Sequence, residues 1–276
     1  MTGTATTDTG TGTAAATGAG ALLRGWRERR GMSQLQLALA ADSSARHISF
    51  IETGRSRPGQ DLLLRLSEHL DVPVRERNSL LLAAGYAPHY AETPLDDPAL
   101  DALREGMERL LAAHEPYPAL IVDGGYRVLA ANRGIGLLLD GIDPELLTQP
   151  MNAMRLTLHP RGIAPKIRNL RQWRAHLLEQ MERQIALVRS ETVRALFEEV
   201  RAYPLPDTAD EPQDAHEVFP FALPLRIEHG GQVLSFLSTI ATFNTPTDVT
   251  VSELAMETFL PADPETATYL HSLMPR

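Results

Sequence analysis

Apolar residues recur at helical spacing from residue 20 to residue 85. Leu22, Leu23 and Trp26 share one face, and Gly31 stops that segment. Ser33 is a good N-cap for "SQLQLALAA", whose inward positions are Leu37, Ala38 and Ala41. Ser44 can cap "SARHISFIET", with Ile48 and Ile51 turned inward and Gly54 as the stop. "GQDLLLRLSEHL" adds Leu62, Leu63, Leu66 and Leu70, and "VRERNSLLLAAG" adds Leu80, Leu81 and Ala84 before Gly85. The pattern predicts an all-α domain of five helices over 20–85. Only about three residues separate the second helix from the third, so the two must cross steeply, as in a helix-turn-helix.

The pattern then changes. "GYAPHYAETPLDDP" is rich in proline and polar residues and reads as a linker over 86–98. A helix is predicted from Ala99 to about His114, with Leu103, Met107, Leu110 and Leu111 on one face. "YPALIVDGGYRVLAANRG" reads as a β-hairpin turning at Gly124-Gly125. Residues 166–202 are helical, with Leu170, Trp173, Leu177, Met181, Ile185 and Val188 at spacings of three or four. "PFALPLRIEHGGQVLSFLSTIATFNTPTDVTVSELAMETFLPAD" supplies three strands, with a turn at Gly230-Gly231 and a connection near Pro246. Strands, helices and strands again predict an α+β domain over 99–272, one antiparallel sheet with helices on one side.

Composition narrows the class. Hydrophobic residues at 43% and charged residues at 22% suit a soluble globular chain of 276 residues, most simply two domains. No apolar run is long enough to span a bilayer, so no membrane is expected. The opening "MTGTATTDTGTGTAAATG" has neither a basic nor an apolar signal region, and residues 1–19 read as a disordered tail. The absence of cysteine removes thiolate metal sites and a Cys nucleophile, and a cytoplasmic location is the expectation. Lys166 is the single lysine; the wealth of arginine and alanine points to a GC-rich coding genome.

Charge is distributed unevenly. The chain carries a formal −9, yet residues 22–60 hold seven arginines against Glu28, Asp42 and Glu52, a local +4. A compact basic module on an acidic body fits nucleic-acid binding by that module alone. Here "MSQLQLALAADSSARHISFIETGRSRP" resembles the XRE family of helix-turn-helix domains, of Cro and phage repressor type, through its Ser-Gln opening, Leu37-Ala38, Ile48, Ile51-Glu52, Gly54 and Pro58. Asp42 stands where the family usually has glycine in the turn, and aspartate tolerates a left-handed conformation. Leu35 and Leu39 occupy positions that are commonly polar, which suggests packing on a neighbouring domain or subunit.

The resemblance implies that the third helix lies in the DNA major groove. Ala45, Arg46, Ser49 and Phe50 then face the groove, with Arg46 the best reader of guanine O6 and N7. His47, Thr53, Arg55 and Arg57 are expected at phosphates, and Gln34 and Ser44 at the backbone near helix N-termini. Glu52 is expected to partner one of these arginines rather than a base. Taken one at a time, each arginine is better explained by a solvated helix face; the combination of short turn, caps, core spacing and local charge favours DNA.

The whole chain beyond residue 20 resembles the MmyB-like transcription regulators, on "RHISFIETGRSRP", "VRERNSLLLAAGYAPHY", "PALIVDGGYRVLAANRG", "RLTLHPRGIAP" and "TDVTVSELAMETFLPAD". The resemblance implies a bacterial DNA-binding regulator whose PAS-like C-terminal domain senses a small apolar, fatty-acid-like molecule. Candidate pocket residues are Leu129, Leu138, Met154, Leu156, Trp173, Leu177, Met181, Phe236 and Phe243, each also explicable as core. Arg155, His159 and Arg161 could meet an anionic head group. A homodimer on double-stranded operator DNA is expected, because one short helix reads few bases.

Enzyme signatures are absent: no G-x-S-x-G, no H-E-x-x-H, no P-loop, and no G-x-G-x-x-G after a strand. No catalytic residue, cofactor or metal site is expected, and the nine histidines form no close ligand pair. Two other readings stay open: a constitutive regulator whose second domain only dimerises, and a protein-interaction module that keeps the fold without DNA.

Overall fold

A computed structural model describes residues 18–188, 190–205 and 222–274. The expected tail lies outside them except for its last two residues, of which Ala19 already opens a helix and is buried. The chain divides into two compact units, 1–91 and 92–276.

The first unit consists of α1 (Ala19–Arg29), α2 (Gln34–Ala40), α3 (Ala45–Glu52), α4 (Gln60–His69) and α5 (Val74–Ala83). Ser33 starts α2 through a reciprocal capping box with Gln36. Ser44 starts α3 by accepting from the His47 amide. Between them Asp42 takes φ 50°, the left-handed turn that aspartate permits, and the Ser43 amide closes back on the Ala38 carbonyl at 2.8 Å. Leu23, Trp26, Leu37, Ile48, Ile51, Leu63, Leu66 and Leu80 form the core. Gly20 makes the α1–α3 crossing possible, since a Cβ there would sit 2.1 Å from the Ile51 carbonyl oxygen.

The second unit opens with α6 (Asp101–Ala113), then β1 (Ala119–Val122), β2 (Val128–Ala131), α7 (Arg133–Leu138), α8 (Ala153–Leu158), α9 (Leu170–Leu187) and α10 (Glu191–Arg201). It closes with β3 (Leu225–His229), β4 (Gln232–Thr242), α11 (Val249–Ser252), β5 (Ala255–Pro261) and α12 (Pro264–Leu273). The strands form one antiparallel sheet in the order β2-β1-β5-β4-β3, so β5 is central.

Helices cover both faces of this sheet, not one as expected. The reason lies in β1, which is apolar at all four positions and buried throughout. Leu120 and Val122 belong to the large core with Trp173, Leu177 and Phe236, whereas Ala119 and Ile121 pack with Met107 and Leu111 of α6. Leu110, predicted on the same inward stripe, is 56% exposed.

The two hairpins turn differently. Gly230 and Gly231 both take positive φ, as a two-residue turn between twisted strands requires. In the β1–β2 hairpin the left-handed residue is Tyr126 at φ 62°, not either glycine of the expected Gly124-Gly125 turn. Asp123 organises this turn by accepting from the Gly125 and Arg127 amides, each at 2.9 Å.

Candidate DNA interface and ligand cavity

The helix-turn-helix presents its arginines from a frame fixed by a buried ion pair. Arg27 of α1 donates to both carboxylate oxygens of Glu52 at 2.6 and 2.9 Å and to the Met32 carbonyl at 2.8 Å. Gln34 donates its side-chain amide to the same carboxylate at 2.8 Å. Glu52 thus has an arginine partner, but it comes from α1 and not from the recognition-helix region. Gln34 is correspondingly engaged within the domain.

Arg46 and Arg55 are exposed and flank the Phe50 ring, their guanidinium carbons 5.3 and 6.0 Å from its centroid. Neither forms a hydrogen bond or ion pair among the described residues. Ser44 is exposed, and Ala45, His47 and Ser49 are half-buried along the same helix. Two expected phosphate contacts are otherwise occupied. The Thr53 hydroxyl donates to the Ser49 carbonyl at 2.7 Å. Arg57 donates to the Gly85 carbonyl at 3.1 Å and lies over the Tyr86 ring, which locks the loop after α3 to the end of α5. Leu35 and Leu39 stand 59% and 72% exposed on α2.

In the second unit, the core opens into an apolar cavity between the sheet and α7, α8 and α9. Leu138, Met154, Leu156, Trp173 and Leu177 line it. Met181 and Phe236 are fully buried in the surrounding core. Leu129 and Phe243 are elsewhere. Strand alternation sends Leu129 to the α6 face because its neighbour Val128 faces the cavity, and Phe243 lies past the end of β4 in a separate groove with Met107, Leu110 and Ile121.

The basic cluster is not on the cavity wall. Arg155 holds Glu199 by two bonds of 2.7 Å, and the Tyr203 hydroxyl donates to the same carboxylate at 2.6 Å. His159 meets the Tyr203 ring edge-on, with centroids 4.9 Å apart. Arg161 pairs with Asp143 and Glu145. The arginine beside it pulls the Glu199 carboxyl below its ordinary range. These residues join α8 to α10 and to the loop after α7.

One polar lining residue escaped the sequence reading. Glu257, on central strand β5, faces the cavity with Ser238 donating to its Oε1 at 2.7 Å. Burial pushes this carboxyl up, and its charge, after burial, helps push the nearby Tyr126 phenol up to about 12. Ala255, Glu257 and Phe259 share one face of β5, and only the two apolar members of that set signalled it.

Known proteins agree with this division. The MmyB-like transcription regulator ligand binding domain family matches residues 103–273, and a helix-turn-helix family matches residues 23–77. Among solved structures, the clp gene regulator ClgR from Corynebacterium glutamicum is similar at 27% identity over 37% of this chain and 94% of its own, with a TM-score of 0.22. No curated protein matches the chain. The families matched are those of transcription regulators and not of enzymes. With a helix-turn-helix that turns free arginines outward and a second domain built around an apolar cavity, the chain belongs to the MmyB-like transcription regulators and is a DNA-binding regulator of the XRE type.

Proposed function

We propose that this regulator is ligand-responsive: a homodimer binds a near-palindromic operator in the bacterial cytoplasm, and a small apolar molecule in the PAS-like second domain adjusts its affinity for DNA. The observation that carries the reading is the cavity, whose wall is apolar apart from Thr157 and Glu257, as small-molecule sites usually are. A fatty-acid-like body suits that wall. A ligand can change DNA affinity only by binding two states of the dimer differently, so the effect must appear in both equilibria by the same factor.

Mass spectrometry of small molecules released from the purified protein tests this directly. A stoichiometric apolar compound is expected from the wild type and none from Leu177→Trp, which fills the cavity. Removing the compound should shift operator affinity in the wild type and leave Leu177→Trp unmoved. Wild-type protein that carries no compound, and whose DNA binding ignores every apolar addition, would instead be a constitutive regulator whose second domain only dimerises.

A further inference from the structure

Among the described residues, Phe50 is the one large apolar side chain of α3 that the core leaves out. Ile48 and Ile51 are buried at 0% and 1% exposure, whereas Phe50 is half-buried and packs with no part of the first unit's core. What surrounds its ring is cationic. The guanidinium of Arg46, one turn earlier on the helix, lies 5.3 Å from the ring centroid, and that of Arg55 lies 6.0 Å away. The chain itself brings Arg55 there: the Arg55 and Ser56 amides both donate to the Phe50 carbonyl, at 2.8 and 3.1 Å, which folds the loop after α3 back onto this residue.

An apolar ring edged by two exposed cations is complementary to an apolar spot on an anionic surface. In the DNA major groove that spot is the 5-methyl group of thymine, the apolar group that base edges present there. Four residues of helix rise about 6 Å, and successive nucleotides of a strand lie about 3.4 Å apart along the duplex axis. A guanidinium 5.3 Å from the ring therefore meets the same base pair as the ring or the next one. A G·C pair carries no methyl group, so with Arg46 on guanine O6 and N7 the ring falls on the neighbouring pair. We propose that Phe50 is a specificity-determining residue that reads the 5-methyl group of a thymine beside the guanine bound by Arg46. This rests on α3 being the recognition helix and names part of what it recognises. One consequence is sensitivity to cytosine methylation, since 5-methylcytosine offers the same methyl group in the same groove.

The test selects sites from a random duplex library with the full-length protein. The selected duplex is then remade with T·A, U·A, C·G or 5-methylcytosine·G at the position beside the guanine, the first two differing by the methyl group alone. Wild type should bind the thymine duplex about fourfold more tightly than the uracil duplex for each methyl removed, the ratio equivalent to about 0.8 kcal/mol for one buried carbon. It should prefer 5-methylcytosine to cytosine by a similar factor. Phe50→Ala should bind thymine and uracil duplexes equally and keep its preference for guanine, while Phe50→Leu, still apolar, should keep part of the methyl preference. The base changes act on wild-type protein, so the inference can be refuted even where a variant fails to fold. Selected sites with no thymine beside the guanine, a wild type indifferent to both methyl changes, or a methyl preference that survives intact in Phe50→Ala would each overturn the inference and leave sequence-specific DNA binding standing. A library from which no sequence is enriched would overturn both.

Discussion

Arg27 and Glu52 are joined by two parallel N–H···O bonds of 2.6 and 2.9 Å, tying the first helix to the last residue of the recognition helix. Their side chains are only 10% and 2% exposed, so neither charge can fall back on water. Arg27→Ala should destabilise the first domain by about 3–5 kcal/mol, because it leaves the Glu52 carboxylate buried and unpaired. The double variant Arg27→Met, Glu52→Leu should recover most of that loss. Hydrogen exchange at the α3 amides in the full chain measures both, and equal protection in wild type and Arg27→Ala would show that the pair is not what fixes α3.

DNA binding should separate the arginines by role. Arg46→Ala is expected to weaken operator binding by about 1–3 kcal/mol and to relax preference at one base pair. Arg55→Ala should instead weaken operator and random DNA alike and reduce the salt slope by about 0.9. Arg57→Ala should change the slope little and lower stability, because that guanidinium is bound to Gly85 and Tyr86. Titrations at several salt concentrations distinguish the three; identical slopes for wild type and Arg55→Ala would remove that residue from the phosphate contacts.

Stability should respond to pH through Glu257 with an unusual sign. Its folded carboxyl is raised by burial, so the folded state holds its proton more tightly than the unfolded chain. Glu257 therefore leaves stability undiminished below the ordinary carboxylate range near 4 and subtracts from it as pH rises toward the raised value. Tyr126 is its titratable neighbour and stays neutral over this window. Glu257→Gln should raise the melting temperature at neutral pH, and the gain should vanish in acid. Glu199 acts in the opposite sense, since Arg155 lowers it and its contribution fades as pH falls. That exposed pair is worth at most about 1 kcal/mol.

A dimer on DNA should place two recognition helices about 34–36 Å apart, or a multiple of that distance. Sedimentation of the full chain on saturating operator is expected to give two protomers per site. Leu35→Ser with Leu39→Ser tests whether the exposed leucines of α2 contribute, and a reduced dimer fraction with an intact fold is the expected result. One protomer per operator would remove the dimer from the proposal.

The sequence was most legible where local chemistry decides structure. Ser33, Ser44 and Gly54 marked the helix ends of the first domain, and Asp42 declared its left-handed turn. The short helices α7 and α8 went unread because each has only six residues, and their N-caps Asn132 and Asn152 emerge only in the structure. Arg155 and Arg161 misled because their partners stand 44 and 18 residues away, and no local pattern carries that information. Glu257 was hidden for a different reason. A polar residue in an alternating strand reads as facing solvent, and only the placement of β5 at the sheet centre, under α7 to α9, turns it inward.

Asn132 is fully engaged. Its Oδ1 accepts from the Ala119 and Ile135 amides, and its Nδ2 donates to the carbonyls of Leu111 and Tyr117. One buried amide therefore pins the start of β1, the start of α7 and the end of α6, which lie on different sides of the sheet. Ile135 and Leu138 of α7, and Leu139 just after it, form part of the cavity wall. Any occupant that moves α7 must either break a bond in this set or drag α6 along with it. The asparagine acts as a pivot through the sheet, giving the filled and empty cavity a mechanical reason to look different from the far face.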